Sequence, residues 1–148
     1  MLHGKEPKAV GIIYKSSFCR DNSSLRILYF SLICPYLFYC VSVWASTYPS
    51  NLRRLITLQK RVIRIMSWSA FDAHTDPLFK NLKILNLETI CKLQIDKFMY
   101  QFRSRLLPYS FNNMFSVTHQ VHSYGTRSSA FFHLPQSRTN IRKFSISF

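Results

Sequence analysis

Carboxylates are what this sequence has least of: Glu6, Asp21, Asp72, Asp76, Glu88 and Asp96 are the six acids in 148 residues, and none follows Asp96. Nucleotidyl transfer by two metal ions needs carboxylates converging on both ions, and only Asp72 and Asp76 lie close in sequence. With His74 between them they form Asp-x-His-x-Asp, yet Asp76 directly precedes Pro77, where a helix cap is expected, so capping is the better use of that side chain. His119 and His122 form His-x-x-His, with His133 further on. A catalytic zinc site takes a third protein ligand and a carboxylate base or partner, and neither an acid nor a cysteine occurs in that stretch. Solvent-facing or stacking histidines are the expectation. The same lack leaves Ser-His-Asp and Cys-His chemistry without an orienting acid. No catalytic residue, metal or cofactor is therefore expected.

Other absences bound the class further. Cys19, Cys34, Cys40 and Cys91 are irregularly spaced, with no Cys-x-x-Cys, which excludes a zinc knuckle or disulfide framework and points to a reducing compartment. The amino terminus, MLHGKEPKAVG, has charge but no apolar stretch of the kind an export signal needs. An intracellular location, nucleus or cytoplasm, is the expectation, with a membrane as the alternative. No internal repeat is found. The length suits one domain with a modest core and is too short for a whole polymerase.

What is abundant is positive charge. Twenty Lys and Arg give a formal charge of +14, which opposes compaction unless anions lie nearby and makes a polyanion, best a nucleic acid, the natural partner. The cations are most concentrated after an apolar block. Ile27 to Ala45 is nineteen residues without a charge, and Arg53, Arg54, Lys60, Arg61 and Arg64 follow it closely.

The coarse organisation is helical. Residues 1–22, with Gly4, Pro7, Gly11 and scattered charges, suggest a flexible start in which a short helix or strand is possible. Ser23 and Ser24 are N-cap candidates for a helix carrying Leu25, Leu28, Tyr29, Leu32 and Ile33, which Pro35 ends or kinks before it resumes towards Trp44. The TYPSN turn at 47–51 offers Ser50 or Asn51 as the next cap. The spacing then predicts an amphipathic helix over 52–66, with Leu52, Leu55, Ile56, Val62, Ile63 and Met66 on one face and Arg53, Thr57, Lys60, Arg61 and Arg64 on the other. A short helix capped by Thr75 or Asp76 should run to Leu82 or Leu85. A longer one is expected over 87–105, with Leu87, Ile90, Cys91, Ile95, Phe98, Met99 and Phe102 inward and Leu107-Pro108 as its stop. From Tyr109 onward periodicity is lost, and a weakly structured basic tail is expected.

In order, LYFSLICPYLFYCVSVW, LRRLITLQKRVIRI, HTDPLFKNLKILNL, FMYQFRSRLLPYSFNNMF and HSYGTRSS resemble the part of a LINE-type (non-LTR, jockey-like) reverse transcriptase that lies just after the catalytic palm and includes the helical thumb. The similarity runs from about Val10, through GIIYKSSF, nearly to Phe148. No single motif is diagnostic; the ordered series is the specific feature. Fingers and palm, with their Tyr/Phe-x-Asp-Asp sequence, have no counterpart here. The resemblance thus implies a fragment or decayed copy of an RNA-directed DNA polymerase, not an enzyme on its own. It also implies residues 1–22 as a remnant of the palm–thumb connection, 23–107 as a thumb-like bundle and 108–148 as a tail downstream.

The expected fold is mainly α, a small three- to four-helix bundle with an irregular basic C-terminal tail. The expected partner is the template-primer duplex, held through its backbone without base reading. On the helix 52–66 the contacts fall to Arg53, Arg54, Lys60, Arg61 and Arg64, and Arg53 to Arg64 spans about 16 Å, enough to follow several phosphates. In HSYGTRSS, His122, Tyr124 and Arg127 combine two rings and a guanidinium suited to bases and phosphate, against the plainer role of Tyr124 in packing the tail. Two other readings stay open. Residues 27–45 approach the ~20 needed to span a bilayer, although Pro35, Tyr36 and Tyr39 sit mid-span, and the chain also fits an independent basic nucleic-acid-binding module.

Overall fold

The computed structural model describes residues 6–19, 21–122, 124, 125, 127–133 and 138. Its elements are α1 (Glu6–Ser16), α2 (Asn22–Leu32), α3 (Cys34–Phe38), α4 (Val41–Trp44), α5 (Pro49–Met66), α6 (Thr75–Leu82), α7 (Leu87–Arg103) and α8 (Thr118–Val121), with short 3-10 turns at Ser17–Cys19 and Tyr109–Phe111. The chain is mainly helical, as its periodicities require. Two compact units divide it: residues 1–41 and 48–92 form the first, residues 42–47 and 93–148 the second.

The first unit is a small helical bundle. Its core joins Val10 and Ile13 of α1, Leu25 and Tyr29 of α2, Val62, Ile63 and Met66 of α5, Phe79 of α6 and Ile84 beyond it. Within the opening segment, Glu6–Ser16 is the short helix that the sequence left possible. Ala9, Ile13 and Ser17, spaced four apart, are all buried, so one stripe of α1 and the turn after it faces the core. Tyr29, within the apolar block, shares this core with residues of α1 and α5.

Local chemistry sets the helix starts. Asp21, not Ser23 or Ser24, caps α2: its carboxylate accepts the Ser23 and Ser24 N–H groups at 3.1 and 3.2 Å and the Ser24 hydroxyl at 2.6 Å. The two serines occupy the second and third helical positions, where free N–H groups need an acceptor. Those bonds, the Ser24 hydroxyl foremost, hold the Asp21 carboxyl below its usual range. Helix α5 begins before Ser50 and Asn51, with Tyr48 extended at φ −60°, ψ 139° and Pro49 in its first turn, where the missing N–H costs nothing. Neither Thr75 nor Asp76 caps α6: His74 holds that place without a side-chain bond, and Thr75 is buried as the first helical residue.

Pro35 opens α3 after α2 ends at Leu32, so the apolar block is three short helices. Leu37 and Val41 are buried while Ile27, Tyr39 and Val43 are largely exposed. Among the described residues no helix is long and apolar enough to cross a membrane.

Helix ends show what glycine scarcity does. Only three glycines occur, and the left-handed positions closing α3, α5, α6 and α7 fall to Cys40, Trp68, Lys83 and Arg105, with φ of 49°, 52°, 51° and 54°. After α7 the Leu106 N–H returns to the Gln101 carbonyl at 2.9 Å, the closing bond of a Schellman-type end. The helix therefore stops at Arg103, ahead of the expected Arg105 and well before Pro108.

The second unit carries an aromatic core. Phe102 meets Phe115 edge-on at 4.8 Å and Phe132 at 5.8 Å, while Phe98 meets Phe111 and Phe115 at 6.1 and 6.4 Å. Val117 and Phe132 form an antiparallel bridge. Flanking it, Thr118 donates its N–H and hydroxyl to the Phe131 carbonyl, each at 3.0 Å. Between Tyr109 and His133 the described residues thus make these specific contacts, with the short helix α8 as the one α-helix among them. Residues 134–137 and 139–148 lie outside the described residues.

Candidate nucleic-acid interface

Helix α5 separates charge from core because its two residue classes repeat at helical spacing. At 3.6 residues per turn, Arg53, Arg54, Thr57, Lys60, Arg61 and Arg64 fall within an arc of about 120°. The opposite arc holds Leu55, Gln59, Val62, Ile63 and Met66, all buried. Burial of that face in the bundle fixes the rotation of the helix and so presents the cationic arc outward.

The five α5 cations are not equivalent. Arg53, Arg54 and Arg61 are exposed, and Thr57 between them turns its hydroxyl back to the Arg53 carbonyl at 2.8 Å. Lys60 is half-buried and lines a groove that Asp76 and Glu88 also line. Arg64 is half-buried too, and its Nε donates to the Ala73 carbonyl at 3.0 Å. It ties the end of α5 to the following loop. Of the expected phosphate contacts, Arg64 thus has one donor engaged within its own unit, while Arg53, Arg54 and Arg61 form an exposed cationic stripe. From Arg53 to Arg61 that stripe runs about 12 Å.

A second structural cation was not legible in the sequence. Arg26 donates through Nη1 to the carbonyl of Leu82, the last residue of α6, and its guanidinium lies 5.3 Å from the Phe30 ring. A positive charge there also complements the negative end of the α6 dipole.

Arg64→Met should keep the apolar stem and lose the bond to Ala73. Stability is expected to fall by about 1 kcal/mol, below the full value of a charged hydrogen bond because the site is half-exposed. Nucleic-acid affinity should keep its salt dependence. Thermal unfolding beside a salt titration of binding checks both halves.

In the second unit, His122 and Tyr124 stack at 5.4 Å with 27° between ring planes, and His133 meets His122 edge-on at 5.6 Å. Tyr124 keeps one face outward, being 64% exposed. Arg127 is exposed. The two rings lie against each other, and among the described residues Arg127 is not one of their ring partners. The α5 stripe and this stack belong to different units.

Among the described residues no three His, Cys, Asp or Glu side chains gather as a metal-holding group. His74 Nδ1 and Asp76 form an exposed pair at 3.8 Å. Burial pushes the Cys34 and Cys91 thiols up, away from the thiolate that nucleophilic chemistry requires.

Compared with family models, curated proteins and solved structures, the chain matches none of the three.

Proposed function

We propose that this chain is the post-palm, thumb-containing part of a LINE-type reverse transcriptase, intact or decayed, and that it holds a template-primer duplex through phosphate contacts without reading bases. The observation that carries this reading is the exposed stripe of Arg53, Arg54 and Arg61 on a helix whose other face is locked into the core. Guanidinium groups pair with phosphate oxygens in a planar fork, and contacts to phosphate position a protein without conveying sequence. The resemblance supports the same reading segment by segment: its apolar stretch falls on α2 to α4, LRRLITLQKRVIRI on α5, and HTDPLFKNLKILNL on α6 and the start of α7.

Binding should be sequence-tolerant. In competition assays, duplexes of unrelated sequence, and an RNA–DNA hybrid of equal length, should displace a labelled duplex at concentrations agreeing within several-fold. Specific readers exceed their non-specific affinity by about a thousandfold or more; a preference of that size for one sequence would overturn the reading. By the same proposal the chain does no polymerase chemistry by itself, for want of carboxylates that could hold two ions. With template, primer, nucleotides and Mg²⁺ or Mn²⁺, incorporation should equal a no-protein control, and template-dependent extension above that control would refute this part.

A further inference from the structure

The second unit contains a cleft of about 780 Å³, within the size range of pockets that enclose a small organic ligand. Its lining combines three kinds of group. Phe102 and Phe115 form a braced wall, their rings edge-to-face at 4.8 Å and 81°. Phe131 also lines the cleft and is 68% exposed, so its ring is not consumed by packing. Arg103 and Arg105, both exposed, and Asn113 complete the set.

Among the described residues no carboxylate lines this cleft, and the sequence offers no Asp or Glu after Asp96. The site is thus electropositive, amide-bearing and aromatic. A ligand that satisfies all three must carry a flat π face, polar ring edges and a negative charge close to the ring. An unpaired nucleotide has these in one unit: the base stacks on an aromatic ring, the amide meets its edge, and the phosphate meets guanidinium. A closed duplex does not fit the same chemistry, because its base faces are already stacked and only its backbone is offered.

We propose that this cleft is a second nucleic-acid site, which takes unpaired nucleotides of a single strand by stacking on Phe131 and pairing phosphate with Arg103 and Arg105. The site stands on its own geometry, independent of the α5 stripe and of the duplex-holding role argued above. A chain with both can hold paired and unpaired nucleic acid by different side chains.

Fluorescence anisotropy with a short oligothymidylate and with a blunt duplex, at one salt concentration, separates the two sites. Phe131→Leu keeps apolar bulk, loses the ring, and changes no backbone hydrogen bond. It should weaken oligothymidylate binding by roughly tenfold, the scale of one lost base stack, and leave duplex affinity within about twofold. The pair Arg103→Gln, Arg105→Gln should act in the same direction on the single strand. Replacement of Arg53, Arg54 and Arg61 by Gln should instead fall mainly on the duplex. The proposal is overturned if Phe131→Leu and the arginine pair leave oligothymidylate affinity unchanged, or if every variant lowers both ligands by one common factor. It is equally overturned if a phosphorylated peptide displaces oligothymidylate at matching concentration, since that places peptide phosphate, not a stacked base, in the cleft.

Discussion

Replacing Gln59 by Leu is expected to lower stability by about 3–5 kcal/mol, a large part of what a small domain has. Gln59 is 3% exposed and its amide is fully engaged. Its Nε2 donates to the Tyr29 hydroxyl oxygen and to the Leu85 carbonyl, both at 2.9 Å, and its Oε1 accepts the Leu87 N–H at 2.8 Å. One side chain thereby joins α2, α5 and the entry to α7. Leucine fills nearly the same volume but leaves three polar groups unpaired, each costing about 1–3 kcal/mol when buried. Chemical denaturation measures the loss directly, and a change under 1 kcal/mol would show that water or a shifted partner replaces the amide. Gln59→Glu probes the same clamp by charge. An ionised carboxylate still accepts from Leu87 and can accept from the Tyr29 hydroxyl, but it is buried and faces the Leu85 carbonyl oxygen, so this variant should be more stable at mildly acid pH, with the carboxyl protonated, than at neutral pH.

The other partner in the clamp gives a pH signature. Burial pushes the Tyr29 phenol up to about 12, with the Gln59 hydrogen bond opposing part of that shift. Between the unfolded value near 10 and the folded one, the native state keeps a proton that the unfolded state releases. Stability therefore falls as pH rises through this window, by about 2–3 kcal/mol once both states are ionised. Tyr29→Phe should remove that portion of the alkaline loss.

How legible these features were in the sequence depended on whether they left a periodic apolar trace. Helix α5 did, and its expected span of 52–66 lies inside the observed Pro49–Met66. Gln59 did not, because a glutamine among cations on a helix looks like surface until its neighbours are known. Helix α1 was obscured by Gly11 within it and Pro7 in its first turn, although Ala9 and Ile13 held the stripe. Glycine in a helix interior costs only about 1 kcal/mol, which core burial of Ile13 readily outweighs. The ends of α3, α5, α6 and α7 were hard to place because Cys40, Trp68, Lys83 and Arg105 occupy positions where glycine usually marks the stop.

The second unit was least legible. Its rings, Phe98, Phe102, Phe111, Phe115 and Phe132, come from one helix and from irregular chain beyond it, so no single period reveals them. Among the candidate contacts, sequence spacing identified the cationic arc of α5 but could not show which charges were spent. Arg64 reaches a backbone carbonyl that appears only when the loop after α5 folds back, and Lys60 comes to share a groove with Asp76 and Glu88 only when α6 and the start of α7 are in place.

That division of labour on α5 is the central claim, and it has a direct measurement. Affinity for a duplex DNA should be determined across a range of salt for the parent and for the triple variant Arg53→Gln, Arg54→Gln, Arg61→Gln. Each lost phosphate contact flattens the plot of log affinity against log salt by about 0.9, so the triple variant should lose about 2.7 from its slope. Helix content should be unchanged, because the buried face is untouched. Lys60→Gln and Arg64→Gln together should shift that slope far less. A triple variant that binds with the parent's affinity and the parent's slope would contradict the account and reduce the stripe to a solvated face.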